Sequence, residues 1–121
     1  MQSSLKIKIS KELANAIKSE SANKGELLSA AIEAHSDKIA YMLQTYYSRE
    51  KVSQVTVNEG SVEFKTANEV NLKLLYVIEE YNACSAVDTL NKEKMTVKAV
   101  IDTKKEELNL TGEYWAERDP D

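Results

Sequence analysis

The stretch Glu69-Val70-Asn71-Leu72-Lys73-Leu74-Leu75-Tyr76-Val77-Ile78-Glu79-Glu80-Tyr81-Asn82 decides the fold. Val70, Leu72, Leu74, Tyr76 and Ile78 recur at every second position, which places them on one face of a strand. Val70, Leu74, Val77, Ile78 and Tyr81 would also fit helical steps of three and four. Around Leu74-Leu75-Tyr76-Val77-Ile78 both faces are apolar, so the reading favours a central strand covered on two sides.

The same period of two extends outward from this stretch. Val55, Val57, Val62 and Phe64 mark two strands, 52–57 and 62–66, around Asn58-Glu59-Gly60. That tripeptide reads as a hairpin turn with Gly60 supplying a positive φ. Residues 82–91 read as a polar connection. Met95, Val97, Ala99 and Ile101 then define a strand near 93–102, and Leu108, Leu110, Gly112 and Tyr114 another over 107–115. Asp102-Thr103-Lys104-Lys105-Glu106 joins these two. The tail 117–121 is expected to fray.

Upstream the period changes. Leu5, Ile7 and Ile9 alternate with lysines as a short first strand. Ser10 is a good N-cap, with Glu12 in the first turn to suit the helix dipole. Leu13, Ala14, Ala16 and Ile17 give a narrow stripe, and Gly25 reads as the helix stop. From 26 to about 48, Leu28, Ala31, Ile32, His35, Ile39, Met42, Leu43 and Tyr46 follow helical spacing. One helix over that range would be roughly 34 Å long at 1.5 Å per residue.

The expected architecture is therefore α+β. An N-terminal strand and two helices precede an antiparallel meander of four to five strands that curves around the long second helix. This element order resembles cystatin-like and helix-grip folds. With 121 residues, 42% of them hydrophobic, the chain suits one domain over 1–121. No run approaches the roughly 20 apolar residues of a membrane helix. The N-terminus lacks a signal-peptide core, so a cytoplasmic protein without a membrane partner is expected.

Chemistry is sparse. Cys84 is the only cysteine, which excludes an internal disulfide or a cysteine metal cluster. His35 is the only histidine, so a zinc site or a hydrolytic triad has too few parts. Gly25, Gly60 and Gly112 stand alone, without the clustered glycines of a phosphate loop. Acid pairs such as Glu79-Glu80 and Glu106-Glu107 point to opposite faces of a strand. No catalytic set, cofactor or metal site is expected.

The net charge of −4 is unevenly spread. Residues 1–51 hold eight Lys/Arg and six Asp/Glu, whereas residues 52–121 hold eight and fourteen. An acidic sheet half argues against a nucleic-acid partner.

Aromatic residues are the remaining candidates. Tyr41, Tyr46 and Tyr47 cluster late in the helical region; Tyr76, Tyr81, Tyr114 and Trp115 fall on or near the strands. Met42 and Tyr46 are expected to pack inward, while Tyr47 and Trp115 are the expected partner contacts. A non-catalytic binding protein follows, acting through a protein partner or as a homodimer. An accessory protein of a bacterium or phage would suit such a motif-poor chain. The alternative is a small-molecule pocket, nucleotide-like ligands included, between the long helix and the sheet. His35, Met42, Tyr76 and Cys84 would line it.

Leu108-Asn109-Leu110-Thr111-Gly112-Glu113-Tyr114-Trp115-Ala116-Glu117-Arg118 resembles a strand of the β-barrel effectors of bacterial cyclic-oligonucleotide defence systems. The membrane helices that precede the barrel in those effectors have no counterpart here. The resemblance implies a strand in which Gly112 allows close backbone approach, and no transferred activity.

Overall fold

A computed structural model describes residues 1–19, 23–82 and 87–115. It shows an α+β chain in which three helices accompany a five-stranded, wholly antiparallel sheet. The order is β1 (Ser4–Lys8), α1 (Lys11–Lys18), α2 (Lys24–Glu33), α3 (Ser36–Gln44), β2 (Lys51–Phe64), β3 (Glu69–Asn82), β4 (Val87–Asp102) and β5 (Glu107–Thr111). Across the sheet the strands run β1-β5-β4-β3-β2, so the first strand closes onto the last.

The deciding stretch is β3, a strand, as its alternation predicts. Val70, Leu72, Leu74 and Tyr76 are buried, as are Met95, Val97, Ala99 and Ile101 of β4 and Leu108 and Leu110 of β5. They form one core with Leu28, Ile32, Ile39, Met42 and Leu43 from the helices. The second face of β3 is uncovered, contrary to the expectation of a two-sided strand. Leu75 and Val100 on that face are exposed, and so is Leu90. The sheet thus has one layer of helices on one side and solvent on the other.

The long helix is two. Its apolar stripe is correctly read, with Leu28, Ala31, Ile32, Ile39, Met42, Leu43 and Tyr46 all buried. However, α2 and α3 are separated at Ala34-His35. In a continuous helix the His35 amide would bond the Ala31 carbonyl. Instead the His35 ring places Nδ1 3.0 Å from that oxygen, while its amide bonds Ile32 O at 3.0 Å. The side chain has displaced its own backbone, and α3 restarts with Ile39 N on His35 O. Hence no single rod lies within the sheet.

Further boundaries differ: β5 ends at Thr111 and does not run to 115, which leaves Tyr114 exposed. Gly25 lies in the first turn of α2, and α1 ends earlier, at Ser19, whose hydroxyl bonds Ala16 O. The expected hairpin at Asn58-Glu59-Gly60 lies within one strand, β2, which pairs with β3 on either side of it, and no described glycine has positive φ. Its register skips between Asn58, opposite Lys73, and Glu63, opposite Asn71. The Ser61 hydroxyl bridges that gap, donating to Asn58 O and accepting the Lys73 amide. A second irregularity, between Ser53 and Thr56, holds Gln54 at φ 52°. Two bulges therefore do the shaping assigned to a turn. Finally, most of the expected 82–91 connection is strand, because β3 and β4 stay paired out to Asn82 and Val87. Cys84 and the tail 117–121 lie outside the described residues.

Ser10 caps α1 as expected, accepting the Leu13 amide at 3.1 Å. The 102–106 segment is the expected β4–β5 turn. Asp102 Oδ1 accepts the amides of both Lys104 and Lys105 at 3.0 Å, bonds that hold its carboxyl below the usual range. Among the described residues no helix is long and apolar enough to cross a membrane.

Candidate functional site: an aromatic corner beside an open strand edge

A helical turn ends α3 and sets two tyrosines side by side. The amides of Thr45, Tyr46 and Tyr47 bond back three residues, and the Thr45 hydroxyl caps Met42 O at 2.6 Å. Tyr46 and Tyr47 then diverge. Tyr46 runs inward to the β5 end, donating to Glu113 O at 2.7 Å and accepting the Ser3 amide at 2.9 Å. Gly112 is what lets it in: a Cβ there would lie 2.5 Å from the Tyr46 hydroxyl oxygen. Tyr47 reaches β3, its hydroxyl 2.6 Å from that of Tyr76.

Trp115 completes the corner. Its ring meets Tyr46 edge-on at 4.9 Å between centroids and Tyr47 at 5.5 Å, while Tyr47 meets Tyr76 at 6.0 Å. Such edge-to-face pairs are each worth about 0.5–1.5 kcal/mol beyond area burial. Mutual backbone bonds between Met1 and Trp115 fix the indole's position.

The electrostatics are one-sided. Burial holds the Tyr76 phenol well above the usual tyrosine range, and its bond to Tyr47 and the charge of Glu93 push the same way. Burial raises Tyr47 too; the Tyr76 bond offsets part of this, while Glu93, Glu50 and Glu113 add to it. Both hydroxyls therefore stay protonated at physiological pH, which suits packing and hydrogen bonding and provides no general base.

Next to this corner β4 loses its neighbour. β5 pairs with β4 from Lys98 to Asp102 only. One step beyond, the Glu113 carboxylate takes over, accepting the Thr96 amide at 2.7 Å and the Trp115 indole N–H at 3.2 Å. Before Thr96, no strand among the described residues lies on that side of β4, although β3 pairs with it on the other. Which residues face the gap follows from alternation. Ile101 sends its amide to the β3 side, onto Asn68 O, and Thr96 sends its own away from β3. Leu90, Lys92 and Lys94 share the Thr96 parity, so their amides and carbonyls point into the open edge. Their side chains lie on the helix-free face.

The other two edges are blunted. Along β2 the Val57 amide is taken by Glu33 Oε1 at 3.0 Å and the Val52 amide by Gln44 Oε1 at 2.9 Å. Gln44 also donates to Glu50 O and Tyr47 O. Helical side chains thus occupy two donors of that edge, and two bulges distort it. At the opposite side β1 is five residues long and carries Lys6 and Lys8, a short charged edge.

The expected site residues separate into two groups. Tyr47, Trp115 and Tyr76 come together in the corner. Met42 is 3% exposed in the core, and His35 sits at the α2–α3 break, turned onto its own backbone. Cys84 lies outside the described residues. A depression of about 310 Å³ opens on the helix-free face beside Leu75, Val77 and Lys92, and another of about 450 Å³ lies between α2 and β2, lined by Lys24, Glu26, Val62 and Phe64 and by none of the expected pocket residues. Glu33, Gln44, Glu93 and Glu113 were not singled out by sequence reasoning. One signal was present for Glu93: it interrupts the Met95–Ile101 alternation where an apolar residue would continue it. Among the described residues, no group of three or more His, Cys, Asp or Glu side chains is arranged to hold a metal.

No protein-family model matches the chain, and no curated protein matches it.

Proposed function

We propose that this chain is a non-catalytic binding protein that engages a protein partner, or a second copy of itself, by strand addition to β4. The observation that carries the reading is the open edge at Leu90, Lys92 and Lys94, set against two edges that are plugged or short. Unpaired strand amides and carbonyls are a template for another extended chain, and folded proteins commonly hide them. Tyr47 and Trp115, half-buried beside this edge, supply the rigid aromatic flank common at contact surfaces.

The test is a single substitution. The Lys92 amide points away from β3, so Lys92→Pro removes an edge donor without breaking a ladder bond. A partner, or a second copy seen by light scattering, should be held by the wild type and lost by Lys92→Pro. Equal retention by both proteins, or a monomer that binds no protein, contradicts the reading.

A further inference from the structure

The helix-free face of the sheet carries a concentration of lysines along β4. Strand parity places Lys6 and Lys8 of β1, Lys51 of β2, Lys73 of β3 and Lys92, Lys94 and Lys98 of β4 on it. Glu63, Glu69, Glu79, Asp102 and Glu107 share that face by the same pairing. Two of these lysines are neutralised locally, Lys8 by Glu107 at 3.2 Å and Lys98 by Glu69 at 2.9 Å. Lys92 and Lys94, both exposed, have no ion-pair partner among the described residues. They are also two of the three residues whose backbone faces the open edge. Backbone template and unpaired positive charge therefore coincide over Leu90–Lys94.

We infer that the occupant of this edge is an extended acidic segment of another protein, with carboxylates at alternate positions on the lysine face. This rests on the strand-addition reading above and adds the chemistry of the partner. Cross-strand neighbours lie about 4.5–5.5 Å apart at Cβ, so opposite charges there attract and like charges repel. The intervening partner residues fall on the helix side, beside Glu93 and the Tyr47–Tyr76 pair, where a further carboxylate would meet existing negative charge. An alternation of acidic with uncharged residues satisfies both faces. A second copy aligned over the same five residues does not, because it would bring the two Lys92 side chains face to face.

Fluorescence anisotropy with two labelled peptides tests this: one alternating glutamate with threonine, the other alternating lysine with threonine. The glutamate peptide should bind the full chain at least about tenfold more tightly than the lysine peptide, and less tightly as salt rises. The double variant Lys92→Glu/Lys94→Glu should reverse that preference, and Lys92→Pro should abolish binding of both. Equal binding of the two peptides, lost in Lys92→Pro, would overturn the acidic preference while leaving strand addition standing. Glutamate-peptide binding unchanged in Lys92→Pro would overturn strand addition itself. A single-stranded oligonucleotide that displaces the peptide and binds equally well to Lys92→Pro would make the face a general anion surface and overturn the inference. So would a dimer that Lys92→Pro dissociates.

Discussion

Gly112 and Tyr46 touch so closely that the glycine's missing side chain is part of the tyrosine's site. A Cβ on Gly112 would also come within 3.1 Å of Met95 Sδ and 3.2 Å of the Tyr46 ring. Gly112→Ala is therefore expected to lower stability by about 1–3 kcal/mol, the usual cost of overpacking. In a Tyr46→Phe background, where the hydroxyl is gone, the same change should cost less. Urea unfolding of the four proteins gives the coupling directly. Additive costs would show that the two residues are not in contact.

The Tyr47–Tyr76 pair makes stability sensitive to alkali. Both phenols ionise above their ordinary value of about 10 in the fold, so in unfolded chain they release protons first. The unfolded state then binds fewer protons, and stability falls as pH rises beyond about 10. Below that pH both states are protonated and the pair contributes no pH dependence. Absorbance titration should show some of the six tyrosines ionising only as the fold is lost. Tyr47→Phe/Tyr76→Phe should flatten the alkaline stability loss. Simple titration of all six near their ordinary value would contradict the geometry.

Plugging of the β2 edge predicts a different failure. Gln44→Ala leaves the Val52 amide and two carbonyls without their partner, a loss of about 1–3 kcal/mol for a buried unsatisfied group. Glu33→Ala frees the Val57 amide in the same way, whereas Glu33→Gln keeps an accepting oxygen and should be milder. The double variant Gln44→Ala/Glu33→Ala should also self-associate, because a second strand edge is then exposed. Sedimentation velocity at increasing concentration reads this. Stable, monomeric double variants would show that the helical side chains do not guard β2.

Much of this architecture is legible in the residues, and the misreadings share a cause. Period-two alternation finds β3, β4 and β5 because their buried sets are unbroken from Val70 to Tyr76, Met95 to Ile101 and Leu108 to Leu110. The helical stripe likewise finds the buried face of α2 and α3. It misses the break, because a period reports which face is apolar and not whether the Ala31 carbonyl is bonded by a backbone amide or by the His35 ring. Asn58-Glu59-Gly60 carries turn chemistry yet lies within β2, where the Ser61 hydroxyl stands in for the backbone. The aromatic corner is half legible. Tyr47, Tyr76 and Trp115 are marked by type, but their convergence depends on β1 pairing with β5. The open β4 edge is invisible to composition, since it arises from where β5 stops and Glu113 takes over.

The central claim concerns individual amides, and amide hydrogen exchange followed residue by residue by NMR tests it most directly. Leu90, Lys92 and Lys94 should exchange fast, while the intervening Asn91 and Glu93 and the capped Thr96, Val52 and Val57 are protected. Protection of Leu90, Lys92 and Lys94 equal to that of Asn91 and Glu93 in the isolated protein would mean that the edge is already paired, and would contradict the account.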